Sequence, residues 1–237
     1  MSFLVSTKYR SEEQEMMDDF SIKGEVMRDT LNKLERINRL LGGNIVTING
    51  LKKILRGHNT STPITIVDLG CGHGDILRDI AQFGRKNKYT FRLIGIDANQ
   101  EAIDYANELS IEYPELSFKT MDIFSEEFKN LNYDVVVCTL FLHHFKNEEL
   151  VSFLKPTLQK ATIGIVVNDL QRNKIAYYLF KLIGLFIRNK MVREDGLTSI
   201  LRAFKRTDLE QISTQLKVKT AIAWKWAFRY QWILQNK

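Results

Sequence analysis

The segment Val67-Asp68-Leu69-Gly70-Cys71-Gly72-His73-Gly74-Asp75 joins an apolar run to a helical one, with glycine at 70, 72 and 74. Glycine removes side chains where backbone must approach a ligand closely. The helix start adds free amides and a positive dipole. Such a turn cradles a nucleotide-like molecule at the carboxyl edge of a sheet. A dinucleotide pocket calls for Gly-x-Gly-x-x-Gly, whereas this chain has Gly70-x-Gly72-x-Gly74 followed by Asp75. A carboxylate there would repel a pyrophosphate. It tolerates a ligand without phosphate, and Asp68 adds a second carboxylate suited to an ammonium group. The turn therefore reads as a cradle for a zwitterionic amino acid joined to a nucleoside.

Two further aspartates extend the constellation. Asp97 ends the run Ile94-Gly95-Ile96-Asp97, where a carboxylate can accept hydrogen bonds from both ribose hydroxyls. It lies farther from the glycine turn than the ~20 residues of the dinucleotide fingerprint, and the loop Arg85-Lys86-Asn87-Lys88-Tyr89 accounts for the excess. Asp122, in Met121-Asp122-Ile123, can accept from an adenine amino group. One such aspartate is an ordinary cap residue; three at consecutive strand ends form a pattern.

The elements that must position these residues follow from periodicity. Strands are expected at Ile64–Leu69, Arg92–Ile96, Leu116–Met121, Val135–Thr139 and Ile163–Asn168, with helices at about 75–83, 99–113 and 148–159. Near-continuous Val/Ile/Leu strands are buried on both faces, as in a parallel sheet. Strand–helix alternation gives an α/β, doubly wound architecture. Upstream, Ser11-Glu12-Glu13-Gln14 has the form of a capping box. Met16, Phe20, Met27, Leu31, Leu34 and Leu41 recur at helical spacing, up to the stop at Gly42-Gly43. A shorter helix is expected at about 48–55, so residues 1–60 read as an N-terminal helical cap and 61–237 as the main domain. After Asn168 come a long helix (about 173–187), a basic stretch to Arg206, a helix at 207–216, and β-like runs at 219–224 and 227–234.

The 237 residues are 44% hydrophobic and 26% charged, with a net charge of +6. These values fit a globular chain and disfavour disorder, collagen-like repeats and coiled coil. Two cysteines are too few for a disulfide scaffold and, set in apolar runs, suit a reducing compartment. Met1 to Lys8 lacks the basic and apolar regions of a signal peptide. The longest late apolar run, Tyr177–Ile187, falls short of the ~20 residues of a spanning helix. The expected setting is cytoplasmic. No metal site is expected.

At this point the residues match a known family. The chain resembles the class I S-adenosylmethionine-dependent methyltransferases, over about residues 64–170, through Asp68-Leu69-Gly70-Cys71-Gly72-His73-Gly74, Gly95-Ile96-Asp97, Met121-Asp122-Ile123, and Asp134-Val135-Val136-Val137-Cys138 with Leu142-His143-His144-Phe145. The resemblance implies a Rossmann-like seven-stranded sheet, mostly parallel with an antiparallel C-terminal strand. It implies S-adenosyl-L-methionine as cofactor. Asp68, Gly70, Cys71 and Gly72 would pack against its methionine part, Asp97 and Ala98 would hold the ribose, Asp122 and the Ile123 amide would read the adenine, and Thr139 would lie near the sulfonium. The Leu-His-His-Phe signature is similar to the branch acting on small quinone or polyketide compounds. The chain has Thr139-Leu140-Phe141 where amino-group nucleic-acid methylases carry Asn/Asp-Pro-Pro-Tyr.

Methyl transfer needs nucleophile and methyl held in line with water excluded, and a base where the acceptor must lose a proton. His143 and His144 are the base candidates, because neutral imidazole accepts protons near pH 7; either could instead pack the loop. His73 more naturally orients its turn, and His58 belongs to a surface loop. Segment 172–206 holds nine Lys/Arg and two acidic residues, so the net positive charge resides there. Its apolar front suits an inserted lid over a hydrophobic acceptor, with Arg172, Arg202 and Phe204 facing it; the bland reading is a packed helix with a solvated tail. The basic amphipathic segment also suits peripheral contact with a membrane surface. Tyr9-Arg10 and Asn38-Arg39 are candidates for covering the cofactor. The leading expectation is a methyltransferase acting on an oxygen of a small phenolic, quinone-like or polyketide acceptor. Alternatives are a nucleic-acid methyltransferase or binding protein using residues 172–206, a non-catalytic partner, and a dinucleotide oxidoreductase. No oligomeric state follows.

Overall fold

A computed structural model describes residues 5–236. The first four residues of the expected cap therefore lie outside the described residues. The elements run α1 (Glu25–Leu40), α2 (Gly43–Ile54), β1 (Ile64–Leu69), α3 (Asp75–Asn87), β2 (Phe91–Asp97), α4 (Gln100–Leu109), β3 (Leu116–Thr120), α5 (Glu126–Asn130) and β4 (Val135–Thr139). They continue with α6 (Asn147–Lys160), β5 (Gly164–Leu170), α7 (Lys174–Gly184), α8 (Lys190–Arg202), α9 (Arg206–Leu216), β6 (Lys219–Lys225) and β7 (Arg229–Gln235).

The strands form one seven-stranded sheet in the order β3-β2-β1-β4-β5-β7-β6. β1 to β5 are parallel, and β7 runs antiparallel to both of its neighbours. Because successive side chains point to opposite faces, each strand feeds two cores. Val67, Leu69, Val136 and Cys138 pack on one side with Phe153 and Ile212. Ile64, Ile66, Val135 and Val137 pack on the other with Leu51, Ile76 and Ile80. The doubly wound expectation is therefore met, and α2 shares a core with β1.

Two regions differ from the periodicity reading. Residues 5–24 form a largely irregular strap containing only a short 3-10 turn at Met16–Asp18. Ser11 makes no helix box: its hydroxyl accepts from the Glu13 amide, and its own amide bonds Leu201. Helical spacing loses here because charged strap residues are drawn into distant contacts, and tertiary context overrides propensity. The stretch read as a basic tail contains α8. Gly196 and the buried Asp195 interrupt its apolar pattern, but Asn189 caps it through the Val192 amide, and the Phe180 ring fills the space beside Gly196.

Close approach fixes α2 on the sheet. A Cβ at Gly50 would lie 2.4 Å from Val166 Cγ1 on β5. Gly50→Ala is expected to destabilise the protein by about 1–2 kcal/mol, since overpacking costs ~1–3 kcal/mol and helix propensity returns at most ~1 kcal/mol. Urea unfolding measures this, and an unchanged or raised midpoint would contradict the packing described.

Candidate active site

The carboxyl ends of β1, β2, β4 and β5 converge on one edge. After β1, Gly70 and Gly72 adopt φ of +68° and +52°, which glycine alone reaches without strain. The turn is pinned from β2: the Gly70 and Cys71 amides donate to Ile96 O at 2.9 and 3.1 Å. Asp97 accepts from the Gly72 amide and the Asn99 amide, each at 2.9 Å. Burial nonetheless pushes the Asp97 carboxyl up, against the pull of these amides. Asp68 is buried, its Oδ1 meets no donor among the described residues, and burial together with the Asp75 and Asp97 charges pushes it well up. Burial also raises Asp75. This is a desolvated acidic cradle.

The cap closes over the cradle. Leu31 of α1 lies 3.3 Å from where a Gly72 Cβ would stand. His73 Nε2 sits 3.0 Å from Glu35, whose carboxyl is lowered to about 2, chiefly by that contact. Arg39 pairs with Glu35 and Asp79, so it serves the helix surface. Thr139 ends β4 and shares a 2.8 Å hydrogen bond with Thr47 of α2. The Phe141 ring lies directly against Gly70, carried by Leu140 at φ +53°. Non-glycine residues adopt that conformation at some cost. Cys71 is buried in the cradle, while Ala98 and Asp122 are exposed and Ile123 is buried. Asp122 caps its own loop by accepting from the Phe124 amide.

The two histidines lie in the 3-10 turn Leu142–His144. His143 is 2% exposed; its Nδ1 is 2.7 Å from Asp169, and its Nε2 faces Glu15 Oε1 at 3.4 Å without hydrogen-bond alignment. Burial opposes its charge, yet Asp169 and Glu15 together raise it to about 10. As held here it is an imidazolium and does not accept a proton. His144 Nδ1 lies 2.7 Å from Asp18. Glu15, His143 and His144 bring one donor atom each within 4.8 Å of one another, a spacing a divalent cation could bridge, but here their own charges balance the group.

Residues 172–206 are tied to this turn differently from the sequence reading. Arg202 Nη1 pairs with Asp18 at 2.8 Å, and its other nitrogens donate to His143 O and His144 O. Arg10 binds Arg202 O, Asn147 and His143 O, and stacks on Phe204. Arg172 is buried against Asp208, Thr7 O and Ala203 O, and Phe204 is wholly buried in the core. Arg172 and Phe204 thus face inward packing in place of an acceptor, because the chain after β5 turns back against the sheet. Asp169 belongs to the run Asn168–Arg172 that the sequence offers as a candidate cluster at the end of β5, whereas Glu15 and Asp18, which meet His143, His144 and Arg202 more than 100 residues away, gave no sequence signal. The sequence reading also missed Arg229, a buried cation on β7 whose Nε and Nη1 meet no acceptor among the described residues.

Residues 66–159 match the family described as methyltransferase domain. Named relatives are similar over parts of the chain. A putative methyltransferase 235L of Invertebrate iridescent virus 6 is 35% identical over 85 residues, covering 36% of this chain and 29% of the relative. A ubiquinone biosynthesis O-methyltransferase of Rickettsia bellii is 29% identical over 134 residues, covering 54% and 51%. The chain thus spans about half or less of these relatives' length. Among solved structures, the plantazolicin methyltransferase BpumL in complex with SAH superposes with a TM-score of 0.64 at 20% identity, covering 90% of each chain. Magnesium protoporphyrin IX methyltransferase from Synechocystis PCC 6803 with bound SAH gives 0.57 at 18%, covering 93% and 92%. These likenesses establish the Rossmann-like methyltransferase fold.

The buried charges make stability pH-dependent. The raised His143 stabilises fully below its unfolded value near 6.5, and this contribution disappears as pH rises to about 10. Glu15 and Asp169 are lowered, so they stabilise above their unfolded values and cease to do so in acid. The melting temperature should fall between pH 6.5 and 10, and His143→Gln should flatten that decline. An identical alkaline slope in the variant would assign the effect elsewhere.

Proposed function

We propose that the protein is an S-adenosyl-L-methionine-dependent methyltransferase acting on a small hydrophobic acceptor, at an oxygen of a phenolic, quinone-like or polyketide compound. The observation that carries it is the acidic cradle. Asp68 is buried beside the half-buried Asp97 with no basic group offsetting it among the described residues, and a cationic ligand with an ammonium group suits such a site. The fit extends to glycines that leave backbone bare and to the orphaned Asp68 Oδ1. The cofactor, when bound, supplies an electrophilic methyl group on a sulfonium centre.

This chain's residues would then divide the work. Asp97 and Ala98 would hold the ribose, Asp122 and the Ile123 amide the adenine, and Gly70, Cys71, Gly72 and Asp68 the amino-acid end. Thr139 would border the reacting side. His144 would be the better base of the two: its Nδ1 donates to Asp18, and its Nε2 faces Glu15 Oε2 at 3.9 Å. His143, protonated between Asp169 and Glu15, would orient its neighbour. The strap and Arg202 would exclude water. Arg229 would meet an anionic oxygen of the acceptor. The nucleic-acid alternative has less to work with, since Arg172 and Arg202 are already spent on internal pairs. The relatives named for quinone biosynthesis and for natural-product methylation favour a small acceptor.

Calorimetric titration with S-adenosylmethionine tests the reading. Binding is expected for the unaltered chain, with a loss of at least ~10-fold in Asp97→Asn, since a hydrogen bond to a charged group is worth ~1.5–3 kcal/mol. No heat with the unaltered chain would end the proposal. Arg229→Met removes a buried charge without a hydrogen-bonded partner, and is expected to raise the melting temperature; a marked drop would show the guanidinium to be structural.

A further inference from the structure

The α7 helix and the turn after it present an apolar face that nothing in the fold covers. Ile175, Leu179, Leu182 and Phe186 recur at spacings of four, three and four, which place them on one stripe. They are 62%, 48%, 59% and 85% exposed, and Leu185 beside them is 74% exposed. Isolated exposed apolar residues are ordinary, but a contiguous cluster of large ones marks an interaction surface. The opposite side of α7 does pack: α8 sets Gly196 beneath the Phe180 ring. The face is therefore the outer side of a docked hairpin.

The charge around this face is of one sign. Lys174, Lys181, Arg188 and Lys190 are exposed beside it, and no acidic residue occurs between Asp169 and Glu194. None of the first three makes an ion pair among the described residues, and Lys190 reaches Glu194 only at 3.9 Å. Cations flanking large apolar side chains on one amphipathic helix match an anionic lipid surface, with side chains entering the acyl boundary and lysines meeting headgroups. No described helix is long and apolar enough to cross a membrane, so the contact is peripheral. We propose that the α7 face docks this protein on the surface of an anionic bilayer. The surface stands apart from methyl transfer and needs neither cofactor nor acceptor. It also has a link to the reaction side: the Val5 amide donates to Tyr178 Oη on α7, which ties the strap that carries Glu15 to the docked helix.

Flotation of the full chain with vesicles of phosphatidylcholine alone, and of phosphatidylcholine mixed with phosphatidylglycerol, tests the docking. Partition onto the mixed vesicles is expected, together with a large loss on the neutral ones and at high salt. Lys181→Ala should lower partition about fivefold, the equivalent of ~1 kcal/mol per lysine near an anionic surface. Leu182→Ser with Phe186→Ser should abolish it while leaving the melting temperature unchanged, because both side chains are exposed. Ile111→Ser, at an equally exposed site away from this face, should leave partition unaltered. Absence of binding to the mixed vesicles, or an equal loss with Ile111→Ser, would overturn the proposal. So would a dimer in vesicle-free solution that Phe186→Ser converts to monomer, which would assign the face to a second copy. Because vesicle binding is read without cofactor, its failure is separable from a failure of the methyltransferase reading.

Discussion

A carboxylate buried without a counter-charge is the constraint on which this site depends. Asp68 stands at the end of β1 near Asp75 and Asp97, and both raise the cost of charging it. Folding accepts such a cost only where the surrounding structure over-determines it. Here the parallel strands do so: Val67 and Leu69 are locked into one core face, which leaves Asp68 on the opposite face, near Asp75 and Asp97. The glycine turn follows because only bare backbone can pass so close to Asp97. The cradle is then acidic and partly desolvated, and a cationic ligand gains more there than it would in water.

The second layer of charge comes from the strap. Glu15 enters from the N-terminal side and lies 4% exposed beside His143, with Ser199 donating to its other oxygen. Asp18 bonds both His144 and Arg202. Removing one partner from such a network leaves the others buried and uncompensated, which is why the group behaves as a unit. The strap, the histidine turn and α8 thereby form one closure over the reaction side.

What the sequence disclosed and what it hid divide along contact range. The five parallel strands and the glycine turn were legible because their signals are local: β-branched runs, alternate glycines and a helix start within nine residues. Asp68 and Asp97 were legible for the same reason. Residues 11–24 read as helix because Met16 and Phe20 keep the spacing, yet Arg10, Glu15 and Asp18 are held by partners more than a hundred residues downstream. Helix α8 was hidden by Gly196 and Asp195, whose environments come from Phe180 and from the Met16 and Met17 amides. The region 172–206 stands out in composition, but which of its side chains turn inward was decided by docking. Arg172 and Phe204 went in, and the α7 stripe stayed out.

Arg202 contacts both the turn that bears the histidines and the strap that covers them. Its guanidinium bridges those two layers, so the layers can part only when the same bridge breaks. Where a gate of this kind exists, its opening rate sets an upper bound on throughput whatever the speed of bond exchange inside. Residues 5–24 are then less an ornament on the fold than its latch.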